Sequence, residues 1–209
     1  MSATLLDIDT PHGPARVHLH HAGAPVAALV LGHGAGGSVT APDLEAVTAI
    51  ALGARVSVAL VEQPYRVAGR RSAAPAKQLD AAWTAVLEHL SAGPLAGLDH
   101  IAGGRSSGAR VACRTAAATG AVAVLCLAFP LHPPRRRPDA ERKTRLPELD
   151  AVTVPTLVVQ GDRDAFGMPP PSPIRTVVAV PGDHRLAKDL DAVGAAVGAW
   201  LEQVMAAHS

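Results

Sequence analysis

The chain has 209 residues, 48% of them hydrophobic and 18% charged, which excludes a disordered chain and allows a core that needs no metal or disulfide staple. A net charge of +1 offers no global field for DNA or an anionic membrane, and aromatics at 2% leave few faces for stacked bases, so no nucleic-acid partner is expected. The N-terminal MSATLLDIDTPHG lacks the basic and apolar regions of a signal peptide, and the most apolar stretch, 121–131, is too short to cross a bilayer; a cytoplasmic protein with no membrane partner is expected.

Segments 4–9 and 16–20 alternate in period two and predict an antiparallel opening pair. His12, His18, His20 and His21 fall here, but no Cys or carboxylate joins them at zinc spacing, so they are assigned to an edge-strand surface with no metal. Runs at 27–31, 56–61, 100–103, 121–129, 156–160 and 176–180 are almost continuously apolar, as strands covered on both faces by helices must be. Between and after them, 43–52, 77–90, 107–119 and 186–207 read as helices; the last carries Leu186, Leu190, Val193, Val197, Trp200, Leu201 and Val204 on one face. Cys113 and Cys126 lie in apolar segments and read as buried free thiols. The longest irregular piece, 131–153, contains LHPP, Arg135, Arg136, Arg137 and one possible short helix, too little for a lid domain. The pattern predicts one doubly wound α/β domain over 1–209, with eight strands in a mostly parallel sheet, helices on both faces and no lid.

The sharpest chemical signal is IAGGRSSGAR, 101–110. Gly104, Ser106 and Gly108 form G-x-S-x-G between a strand and an Ala-rich helix. In that setting the turn holds a serine in strained geometry, and the helix start behind it favours developing negative charge. Upstream, LVLGHGAGGS follows the third strand. Acyl transfer needs two backbone N–H donors aimed at the oxyanion; Ser107 supplies one and Ala35, after His33-Gly34, the other. His33 reads as the loop's organiser rather than a base. Gly32, Gly34 and Gly37 also fit G-x-G-x-x-G, with Glu62 where a ribose-binding acid could sit. A dinucleotide site, however, would open the sheet rather than follow its third strand, and it leaves the serine motif unexplained; no cofactor is expected.

A serine nucleophile needs a base, and the base an orienting carboxylate, in the chain order Ser, acid, His when the strand–turn–helix elbow is used. QGDRD, 160–164, follows one late strand and PGDH, 181–184, the next. Asp162 and Asp164 both qualify as the acid; Asp164 is favoured because it lies farther beyond the strand end. His184 is the base, and Asp183 reads as a turn residue. His132 in LHPP reads as structural. Arg66, Arg70, Arg71 and Arg105 suit an anionic ester, with bracing of backbone or contact with solvent the plainer reading.

Together, LGHGAGG, EQPYRVAGRR, GGRSSGAR, FPLHPP, QGDRDAFG and GDHRL resemble the sequence blocks of the α/β-hydrolase superfamily from about residue 26 to the C-terminus. The likeness is to its small, lidless, dienelactone-hydrolase-like group, which includes hydrolase-like domains of testis-expressed and chromatin-complex proteins. Two features depart from that group's pattern: Ser107 stands where such elbows often carry Met or a larger apolar residue, and Arg135–Arg137 follow LHPP where fewer charges are expected. The resemblance implies a catalytic triad of Ser106, Asp164 and His184, and a small-molecule acyl substrate cleaved through an acyl-enzyme. The alternative is a catalytically silent member that serves as a binding module, whose signature would be a damaged triad.

Overall fold

The computed structural model describes residues 3–133 and 143–208. Arg135, Arg136 and Arg137 lie outside the described residues. The chain opens with β1 (Thr4–Ile8) and β2 (Ala15–His20), which pair antiparallel from Thr4 opposite Leu19 to Ile8 opposite Ala15. Then β3 (Ala27–Gly32), β4 (Val56–Glu62), β5 (His100–Arg105), β6 (Ala123–Leu127), β7 (Thr156–Gly161) and β8 (Arg175–Val180) run parallel to one another, in the sheet order β1-β2-β4-β3-β5-β6-β7-β8. Helix α1 (Pro42–Gly53) links β3 to β4; α2 (Pro64–Val67) and α3 (Ala76–Ala92) link β4 to β5. Helix α4 (Ser107–Thr119) follows β5, α5 (Leu146–Asp150) precedes β7, and α6 (Leu190–Ala207) follows β8.

The period of two in each strand divides the core between two faces. Ala28 and Val30 of β3 join Trp83, Val86 and Leu87 of α3 and Val111 and Ala112 of α4 on one side. Leu29 and Leu31 of the same strand meet Leu44 and Val47 of α1 and Val197 and Leu201 of α6 on the other. Helices on both faces explain why these strands carry almost no polar residue. The eight-stranded, mostly parallel, lidless architecture is the one expected from the sequence.

The start of the last helix, the end of β6 and the place of β2 differ from expectation for identifiable reasons. The last helix begins at Leu190 rather than 186, because Asp189 caps it by accepting the Ala192 N–H at 2.9 Å. Leu186 is buried but sits in a turn at φ 53°. Strand β6 stops at Leu127 because Ala128 turns the chain at φ 49°. His18 and His20 are not on an edge strand, since β2 lies between β1 and β4; they are half-buried, and His18 Nε2 lies 3.2 Å from Glu62 Oε2. Glu62, the acid a ribose would need, is thus engaged with a histidine. Cys113 and Cys126 are buried and free, their sulfurs 3.5 Å apart. Among the described residues no helix is long and apolar enough to cross a membrane, and no three His, Cys, Asp or Glu side chains gather to hold a metal ion.

Candidate active site

Ser106 stands between the last residue of β5 and the first of α4, at φ 53° and ψ −105°. A non-glycine residue in such a region carries about 1–3 kcal/mol of strain, which only rigid surroundings can impose. Here they consist largely of bare backbone. A Cβ on Gly104 would come within 2.5 Å of the Gly32 carbonyl oxygen, and one on Gly108 would collide with the same atom. The two glycines of the motif therefore let β5 and α4 press against β3. The Ser106 N–H donates to Leu127 O on β6 at 2.9 Å, which fixes the turn from its other side.

The loops after β7 and β8 bring two side chains to this serine. His184 Nε2 lies 2.9 Å from Ser106 Oγ, and His184 Nδ1 lies 2.7 Å from Asp164 Oδ2. The carboxylate has no proton to give, so Nδ1–H donates to it, and Nε2 is left with its lone pair to accept the serine hydroxyl. The Asp164 side chain is 1% exposed, yet its oxygens also receive the Phe166 N–H and the Gln160 Nε2–H, both at 2.8 Å. His184 is 21% exposed, with the Phe166 ring 4.4 Å away, centroid to centroid. Such an array can pass the hydroxyl proton to the imidazole while its orientation stays fixed.

Asp162 is not part of this chain of bonds. Half-exposed, it accepts the Gly182 N–H at 2.8 Å and ties one loop to the other. Asp183 accepts the N–H of Arg185 at 2.9 Å and closes its own turn. His132 donates through Nδ1 to Lys143 O at 2.9 Å, bracing the chain beside Phe166, whose carbonyl accepts the His132 N–H. Arg66 makes one long bond, Nη1 to Arg70 O at 3.4 Å; Arg70 and Arg71 are exposed.

The loop after β3 lies against the serine turn, since a Cβ on Gly34 would stand 3.7 Å from Ser106 Cβ. Its shape comes from His33. The Gln63 N–H points at His33 Nε2 at 3.2 Å, so the ring proton is on Nδ1, which donates to Gly34 O at 2.8 Å. Burial pushes the His33 pKa down and keeps the ring neutral, as that double role requires. Tyr65 Oη donates to Ala35 O at 2.8 Å and ties down the far side of the loop. The Ala35 N–H shares its peptide plane with the Gly34 carbonyl held by His33 and is therefore directed away from that ring. The Ser107 N–H is the first of the donors at the start of α4 that have no partner within the helix. A dinucleotide would need the start of α1 for its phosphates, but the buried Asp43 carboxylate occupies it and accepts the Leu44 N–H at 3.0 Å.

Tyr65, Gln160 and Phe166 support the site without having been assigned a part in it from sequence. All three lie in the quoted blocks, but Tyr65 meets Ala35 and Phe166 meets His184 only in the fold, whereas Gln160 reaches Asp164 four positions on.

Residues 25–192 match the α/β hydrolase domain family. A comparison with curated proteins finds no match. Among solved structures, Est1E from Butyrivibrio proteoclasticus superposes with a TM-score of 0.79 at 16% identity, over 98% of this chain and 100% of that one. A lidless α/β serine hydrolase from Xanthomonas campestris gives 0.74 at 19% identity, over 97% and 95%. The dienelactone hydrolase of Anabaena variabilis gives 0.74 at 18%, over 97% of each. With the family matched over most of its length and the eight-stranded lidless fold in agreement, this chain belongs to the α/β hydrolase family.

Proposed function

We propose that the chain, acting as one domain over 1–209, is a serine hydrolase that cleaves an ester or related acyl bond in a small or compact substrate. The observation that carries the reading is the unbroken line of short contacts from Asp164 through His184 to a strained Ser106. In this mechanism His184 Nε2 takes the Ser106 proton as Oγ attacks the substrate carbonyl. Asp164 holds the Nδ1–H tautomer and stabilises the imidazolium that forms. The oxyanion is met by the N–H groups of Ala35 and Ser107 at the positive end of α4; one such donor contributes about 3–4 kcal/mol in the transition state. The imidazolium then protonates the leaving group. Water, deprotonated by His184, attacks the acyl-enzyme and returns Ser106 to its starting state.

The lidless sheet edge supports compact substrates over long lipids, which need an enclosing apolar channel. The company of the fold agrees: Est1E has been observed with ferulic acid bound, and a thioesterase domain from curacin biosynthesis shares the architecture at 14% identity. The test is turnover of short-chain esters and thioesters by the pure protein and by Ser106→Ala. The reading expects hydrolysis by the parent and a loss of at least about 10³-fold in the variant. Full activity in Ser106→Ala would remove the nucleophile from the scheme, and a parent inert on every acyl compound would favour the binding-module alternative.

A further inference from the structure

His184 has to be held more precisely than its loop can account for. It lies between Gly182 at φ 134° and Leu186 at φ 53°, outside any helix or strand. Among the described residues its backbone makes one hydrogen bond, in which its carbonyl accepts from Arg105 Nη2 at 2.9 Å. Arg105 is the last residue of β5 and the neighbour of Ser106. Its side chain is 15% exposed and turns back into the protein rather than out toward a substrate.

Three surfaces of the guanidinium are occupied. Nη2 meets the His184 carbonyl. Nη1 lies against Gly34, where an added Cβ would be only 2.9 Å away. Nε lies 2.9 Å from Asp43 Oδ2, off the N–H axis, so that contact is an ion pair rather than a well-directed hydrogen bond. Asp43 is 0% exposed at the start of α1. Burial pushes its carboxyl pKa up, and the Arg105 charge and the Leu44 N–H pull it back. A carboxylate so costly to bury has no other cationic partner among the described residues. The guanidinium thus touches the loop of Gly34 and Ala35 and the loop of His184, from a backbone position one residue before Ser106.

We propose that Arg105, anchored by Asp43, is a positioning residue that clamps the base loop and the oxyanion loop onto the nucleophile turn. The proposal rests on the acyl-transfer reading above and adds a residue that never touches the substrate. Arginine is needed because its planar fork presents separate N–H groups in fixed directions, whereas a lysine ammonium is one point on a flexible stem. A displacement of about 1 Å at a reacting group costs on the order of 10²-fold in rate, so a loosened clamp shows in kinetics before it shows in folding.

The test compares the parent with Arg105→Lys, Arg105→Gln and Asp43→Asn by three measurements. These are kcat and KM on a matched pair of short-chain esters, one neutral and one carboxylate-bearing; thermal melting; and hydrogen–deuterium exchange across 181–189. The clamp predicts that Arg105→Lys loses on the order of 10²-fold in kcat with KM little changed, equally for both esters, while melting as the parent does. Exchange in 181–189 should speed up in every variant that folds, Asp43→Asn included. A loss confined to the carboxylate-bearing ester would make Arg105 a substrate contact and overturn the proposal. So would parental kcat in Arg105→Lys and Arg105→Gln, or parental exchange in the folded variants. If the parent itself turns over neither ester, the acyl-transfer reading fails, and the exchange data alone decide whether the clamp exists.

Discussion

The turn between β5 and α4 and the loops after β7 and β8 meet at one edge of the sheet, and both rely on glycine to bring backbone together, Gly161 against the Asp183 carbonyl in the loops, but the loops add side-chain struts. At the turn, side chains are absent where they would interfere: Gly104 and Gly108 bring backbone onto the Gly32 carbonyl, and Ser106 takes up the strain. In the loops, side chains act as struts. Gln160 and the Phe166 N–H hold Asp164, Asp162 holds the Gly182 N–H, and Asp183 closes the turn before Arg185. Close-packed backbone fixes a position with little tolerance, whereas a strut can be lost at the cost of one hydrogen bond. The proposed nucleophile is therefore placed by packed backbone, and its proposed base and acid by packed backbone reinforced with struts.

The largest expected effect separates the two acids of the β7 loop. Asp164→Asn should lower kcat/KM by about 10³–10⁴-fold, the scale of losing the carboxylate that sets the imidazole tautomer. Asp162→Asn should stay within a few-fold, because Asp162 binds backbone and not His184. Equal losses at both positions would end the distinction between a working carboxylate and a strut.

Next comes the glycine packing, read by urea unfolding. Gly108→Ala drives a methyl into the Gly32 carbonyl, a backbone atom that cannot step aside, and should cost about 3 kcal/mol or more. Gly36→Ala meets open space and should stay within about 0.5 kcal/mol. Removing a strut should fall between them: Asp162→Ala leaves the Gly182 N–H without its acceptor and should cost about 1 kcal/mol. If Gly108→Ala were as mild as Gly36→Ala, the turn would not be held by contact.

The smallest expected effect is in pH. Burial keeps the His33 and His100 pKa values below the ordinary imidazole value of 6.5. As pH falls through that value the unfolded chain takes up protons that the folded chain resists, so their contribution is complete above it and declines on acidification. Melting temperature should drop between about pH 7.5 and 5.5, and His100→Gln should flatten the slope. A slope unchanged by that substitution would assign the acid sensitivity to other groups.

Much of this was legible in the sequence because it is local. The helix at 107–119 has the bounds expected, set by a motif glycine before it and Gly120 at φ 71° after it. The six parallel strands announce themselves by almost continuously apolar runs. What could not be read is whatever joins distant segments. Asp162 and Asp164 occupy the same short turn, and only the direction of each carboxylate distinguishes them. Arg105 and His184 are 79 positions apart, so their bond left no local trace, and bracing of backbone was a reading of the arginine without a partner to name. Asp43 resembles any acidic residue in a first helical turn until its burial is known. Leu186 fits the helical spacing of the final segment, and only the cap at Asp189 explains why the helix excludes it.

The most direct test of the central claim is covalent labelling of the pure, folded protein with a fluorophosphonate, read by intact mass and peptide mapping. A nucleophilic Ser106 should carry one adduct per chain, absent from Ser106→Ala and much slower to form in Asp164→Asn. An unlabelled protein, or an adduct that persists in Ser106→Ala, would contradict it.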